Sequence, residues 1–166
     1  FNNTTASNNT SVGTNAMIVN TTGASNTAVG TNALYSNTTA DENTALGFCS
    51  LYSNTTGTNN DAFGSSALVD NTTGNTNVAL GRFSLGDNTT GCCNVSIGNS
   101  AMRKNTTGQQ NVVIGRSAGQ CSLTGNYNTA VGDQALRFNT ASNNTAIGYN
   151  SLCANTTAPD NVAVGY

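Results

Sequence analysis

The sequence has no histidine, no tryptophan and one proline, and charged residues fill only 7% of its 166 positions. Each shortage excludes something. Without histidine, the Ser-His and Cys-His pairs that activate a nucleophile cannot be assembled. Seven scattered acids give no facing carboxylate pair for glycoside hydrolysis. Neither a Gly-x-x-x-x-Gly-Lys phosphate loop nor a Gly-Gly-x-Gly-x-Asp calcium repeat occurs. The expectation is a non-enzymatic protein with no catalytic residue, no cofactor and no metal. Five basic against seven acidic residues leave a net charge of -2 and no basic stripe to follow a phosphate backbone, so nucleic acid is not an expected partner. A membrane is not expected either, because no run of about 18 apolar residues is present. Phe1-Asn2-Asn3 has none of the sections of a signal peptide.

What the chain has instead is periodicity. The stretch Asn26-Thr27-Ala28-Val29-Gly30, followed by Ala33-Leu34 and Asn37-Thr38-Thr39, returns from one end to the other. Its glycine stands at Gly13, Gly30, Gly47, Gly64, Gly81, Gly98, Gly115, Gly132, Gly148 and Gly165, so that eight intervals are 17 residues and one is 16. The short interval has lost a residue at Asn139-Thr140-Ala141. With 36% apolar residues the composition approaches that of disordered chains, but those are highly charged and aperiodic, and this one is neither. A fixed short period means a solenoid, whose repeats bury surface only by stacking. The expected fold is all-β, a parallel β-solenoid in the form of a flattened β-roll. About ten coils at roughly 4.8 Å each would make a rod on the order of 45 Å long. The single solenoid, residues 1–166, carries no separate caps, which suggests a segment of a longer fibre or a filament subunit.

The ten copies separate what is fixed from what is free. Four residues before each glycine stands Asn: Asn9, Asn26, Asn43, Asn60, Asn77, Asn94, Asn111, Asn128, Asn144 and Asn161. Stacked coil on coil, these amides are expected to form a ladder that pins the register. Two before the glycine lies a small residue, usually Ala, and one before it a bulky apolar one, from Val12 to Val164. The alternation reads as a short strand, and the glycine as a turn. Ala-Leu then opens a second short strand or a tight helical turn, and Asn-Thr-Thr-Gly closes the coil. Because neighbours on a strand face opposite ways, only one of the two apolar columns can fill the roll. The preferred assignment puts the bulky column inside and the Ala column on a flat outer surface; the reverse is the alternative. Charges other than Asp61 fall at turns.

Eight Asn-Thr-Thr tripeptides start at Asn3, Asn20, Asn37, Asn54, Asn71, Asn88, Asn105 and Asn155. Each is an Asn-x-Thr acceptor for an N-linked glycan, and together they would project as one column down the rod. The competing reading is plain turn chemistry with a threonine ladder, and a third is a threonine array that orders water, as in ice binding. The five cysteines lie in different coils, apart from Cys92-Cys93, too far apart for the roughly 7 Å reach of an intrachain disulfide. Turn-filling roles or an interchain bridge remain, and their spacing suits neither zinc nor an iron-sulfur cluster.

The pentad Asn-Thr-Ala-Val-Gly, with Ala-Leu and Asn-Thr-Thr-Gly after it, resembles repeats in phage and viral tail-fibre proteins and large bacterial surface proteins. It is also similar to the Ser-Val-Ala-Ile-Gly repeats in the heads of trimeric autotransporter adhesins, although the 17-residue period is longer than theirs. The resemblance covers the whole chain and implies a parallel β-roll, often trimeric, acting as a stalk or adhesive head outside the cell. The expected function is therefore a structural extracellular fibre or filament subunit at the cell or virion surface, glycan-coated where the acceptors are occupied. Its partner would be itself, in lateral or head-to-tail homo-oligomers. The alternatives are an adhesin or tail-fibre head that binds a host surface glycan or receptor, and an ice-binding β-solenoid.

Overall fold

The structure, a computed structural model, describes residues 5–122 and 124–166. Ten strands of three residues, from Thr10–Val12 to Val162–Val164, form one parallel sheet in sequence order. Each strand pairs in register with its counterpart one repeat away: Thr27 with Thr44, Ala28 with Ala45, Val29 with Leu46. The 16-residue coil keeps the same register, Ala130 opposite Ala146, so its missing residue is absorbed in the turn. The chain is thus an all-β parallel solenoid, with no helix among the described residues.

Only one side of each coil is a strand. The Ala-Leu segment is neither a second strand nor a helical turn, because its backbone alternates in hand. In the coil of Gly64, Ser66 and Leu68 both lie in the left-handed region, at φ 58° and 51°. The same pair of places is left-handed in every complete coil, through Asn150 and Leu152. Such a path still stacks: Leu68 N donates to Ser84 O at 3.1 Å and Leu85 N to Ala101 O at 2.9 Å. A left-handed leucine costs about 1–2 kcal/mol, but it carries the one large side chain per coil into the interior, where burial returns about as much or more.

The interior reverses the preferred sequence assignment. Ala28, Ala45, Ala62, Ala79, Ala130 and Ala146 are completely buried, facing the leucine and methionine column of Met17, Leu34, Leu51, Leu68, Leu85, Met102 and Leu136. The bulky residues before the glycines are on the outside: Val12 is 57% exposed, Leu46 45% and Leu80 46%. A coil this thin has room for one large side chain, and the turn leucine takes it, leaving only methyl-sized partners on the strand. Where serine replaces alanine the polar atoms are paired. Ser84 Oγ donates to Ser96 O at 2.8 Å, and Ser96 Oγ to Ala101 O at 3.0 Å.

The anchor glycines are forced by the coil spacing. Gly81 has φ +130°, outside the range of L-residues, and a Cβ there would lie 2.6 Å from Gly98 O in the next coil.

Candidate functional site

Both asparagine columns lie inside the solenoid. In the column before the glycines, the side-chain oxygen accepts the backbone N–H of the next coil's asparagine and, in most coils, its side-chain amide as well: Asn77 N and Asn77 Nδ2 both donate to Asn60 Oδ1, at 3.1 Å each. The pattern runs from Asn9, whose Oδ1 accepts from Asn26 N at 2.8 Å, to Asn161, whose N and Nδ2 reach Asn144 Oδ1 at 3.0 Å. It passes through Asn43, Asn94, Asn111 and Asn128 on the way. Buried amides with every polar group engaged fix register strongly, since a slip would orphan several at once.

The Asn-Thr-Thr column is the second ladder, and this corrects the expectation of outward-facing glycan acceptors. Asn20, Asn37, Asn54, Asn71, Asn88 and Asn105 are buried. Their Nδ2 atoms, to which a sugar would be linked, point inward: Asn37 Nδ2 donates to Asn20 Oδ1 at 2.7 Å, Asn88 Nδ2 to Asn71 Oδ1 at 2.8 Å. Asn155 is half-buried, its Nδ2 held by Ala158 O at 2.9 Å and Asn139 Oδ1 at 3.2 Å. Asn3 lies outside the described residues. The two ladders meet at one carbonyl per coil. Gly91 O accepts Asn77 Nδ2 at 2.9 Å and Asn88 Nδ2 at 3.0 Å, filling both lone pairs. The acceptor tripeptide is therefore a turn-closing device in the folded coil.

Of the paired threonines, the first ties coils together, as where Thr72 Oγ1 donates to Thr89 O at 2.9 Å. The second, from Thr22 and Thr39 to Thr107, is exposed and forms a single row of hydroxyls along the turn. All five cysteines are free thiols. Burial, then the hydrogen bond and charge of Cys93, push the Cys92 thiol above its ordinary pKa, so at neutral pH it is protonated and a poor nucleophile. Among the described residues no cluster of three His, Cys, Asp or Glu could hold a metal ion. No helix among them is long and apolar enough to cross a membrane.

One coil breaks the pattern. Gly119 stands where the others have leucine or methionine, and Ser122 where they have asparagine. Val113 replaces the strand alanine there, and its methyls lie 3.5 and 3.6 Å from where a Gly119 Cβ would be, filling the space a leucine would take. What remains is a cavity of about 10 Å³ bounded by Met102, Val113, Gly119, Ser122 and Asn128, enough for about one water and no substrate. Ser122 cannot supply the missing amide, and Asn105 Oδ1 is buried with no donor.

The outer surface is where this molecule can meet others. Along the sheet, Val12, Val29, Leu46, Phe63, Leu80, Ile97, Ile114, Val131, Ile147 and Val164 form one continuous apolar column. A second column beside it mixes Thr, Val and Asp61, with Val112 40% exposed. Sequence reasoning found the bulky column but placed it inside, since nothing in the alternation says which face is concave, and it did not single out the Thr, Val and Asp61 column.

Fold and surface define a parallel β-solenoid with one apolar sheet face. Compared with protein-family models, curated proteins and solved structures, the chain matches none.

Proposed function

We propose that this chain is a non-enzymatic structural subunit of an extracellular fibre, in which solenoids associate side by side through the outer face of the sheet. The observation that supports this most is the apolar column. In a chain with so little charge, the fold spends its bulky residues on the surface, in a row about 43 Å long at the usual strand spacing. Contiguous exposed apolar stripes of that length mark association surfaces, and two such faces pack about 10 Å apart as stacked sheets do. Two buried asparagine ladders, interrupted only where Ser122 leaves Asn105 Oδ1 without a donor, and a close-stacked glycine column supply stiffness. The surface location rests on the resemblance to tail-fibre and adhesin repeats.

Light scattering on the purified chain tests the assembly. The wild type should be a homo-oligomer, and the pair Leu80→Lys and Ile114→Lys should give a monomer with an unchanged circular dichroism spectrum. A monomeric wild type would remove the reading. An adhesin head is the second reading, favoured by the five cations gathered on the Ala-Leu rim within residues 82–137. Electron microscopy separates the two, since long filaments fit the fibre and short discrete spikes the adhesin.

A further inference from the structure

The charges are not spread evenly around the coil. All five cations, Arg82, Arg103, Lys104, Arg116 and Arg137, lie one, five or six places after an anchor glycine, on the rim formed by the Ala-Leu turn, and all within residues 82–137. That stretch contains two acids, Asp87 and Asp133, for a local net charge of 5 − 2 = +3, while the rest of the chain has five acids and no base. Asp41, Glu42 and Asp160 occupy the opposite rim, beyond the Asn-Thr-Thr turn. A molecule of net charge -2 thus presents a cationic edge.

The edge is also ordered. Phe83 holds two guanidiniums, Arg82 at 4.4 Å and Arg103 at 4.7 Å from its ring centre, and Arg137 lies 5.0 Å from the ring of Phe138. Contacts of this kind fix long side chains that otherwise lose entropy on binding. Asp133 already engages Arg116 at 2.7 Å. Arg103 is only loosely paired with Asp87, at 4.0 Å, and among the described residues Arg82, Lys104 and Arg137 are in no ion pair. The Nε groups of Arg103 and Arg137 are buried without a hydrogen-bond partner, and Arg137 Nη1 donates to Gln134 Oε1 at 2.8 Å, so an anion would be met by the remaining Nη groups of the two guanidiniums. These two arginines occupy the same place two coils apart, about 10 Å along the axis.

We propose that this rim binds an acidic polysaccharide, with Arg103 and Arg137 each taking a carboxylate or sulfate on alternate sugar rings of an extended chain. Guanidinium matches both anions bidentately, and the two-coil spacing is close to the length of two pyranose rings end to end. The phosphates of duplex DNA are too densely spaced, about one charge per 1.7 Å of axis, to be met one for one by this array. The lateral sheet face takes no part, so this site stands or falls separately from the fibre assembly.

Affinity electrophoresis of the full chain tests it, with heparin and polygalacturonate as probes and dextran as the neutral control. The wild type should be retarded by one or both acidic probes and not by dextran. The pair Arg103→Gln and Arg137→Gln, with an unchanged circular dichroism spectrum, should bind at least about tenfold more weakly, from the loss of two charge-assisted contacts. The pair Asp41→Asn and Glu42→Gln, on the opposite rim, should weaken binding to neither acidic probe. No retardation of the wild type, retardation unaffected by the arginine pair, or equal affinity for duplex DNA at the same salt would overturn the proposal.

Discussion

Gly119 interrupts the leucine column, and the valine that fills the gap shows how finely single residues are balanced here. Val113→Ala would enlarge the existing cavity and should cost about 1–3 kcal/mol, whereas Gly119→Leu alone should overpack against the Val113 methyls at a similar cost. Together the two changes restore the usual pair, so the double variant should melt nearer the wild type than either single one, with a coupling of about 0.5–3 kcal/mol. Additive losses in thermal melts would show that the two sites are not packed as described. Ser122→Asn should be stabilising by about 1 kcal/mol, since it supplies the amide that Asn105 Oδ1 lacks; slower amide exchange in that coil would report it. Among the charges, burial first and Asp87 second raise the pKa of Asp70 above 3.8. A raised carboxylate pKa means the folded state holds the proton more tightly, so this group's contribution improves as pH falls through the folded pKa. Asp70→Asn should therefore raise neutral-pH stability slightly, by less than about 0.5 kcal/mol for so exposed a site, and flatten that part of the pH-stability profile.

At the scale of the coil, the decisive element is the turn at the anchor glycine. Gly81→Ala should lower the melting temperature sharply, because it combines a forbidden φ with backbone contact to the next coil, whereas Gly86→Ala, with its nearest contact at 3.3 Å, should be tolerated. Equal melting of the two variants would contradict the close glycine stacking. The coil was legible in the sequence as far as its period and its strand: spacing gave the register, and Asn-Thr-Ala-Val marked the strand. The Ala-Leu turn was not legible, because a leucine at positive φ runs against its own local preference and is held there by packing from neighbouring coils. The same limit hid the asparagines of Asn-Thr-Thr. A tripeptide suited to exposed turns looks identical whether its amide faces water or, as at Asn54 and Asn71, a buried ladder. Inside and outside were exchanged for the apolar columns because alternation carries no information on which face is enclosed.

For the whole molecule, stability is a sum of neighbouring coil contacts, and the coil of Gly115, short of one leucine and one asparagine, is a weak link among the interior coils. Stiffness along the axis, the lateral apolar face and the cationic rim all depend on equivalent residues lying above one another. Spin labels on a cysteine-free background measure this directly, at Thr22 paired with Thr90 and at Thr22 paired with Thr157, exposed positions four and eight coils apart. Narrow distance distributions near 19 and 38 Å, in the ratio of the coil numbers, are the expected result. Broad distributions, or a longer separation that fails to scale with the number of coils, would contradict the stacked solenoid and everything built on it.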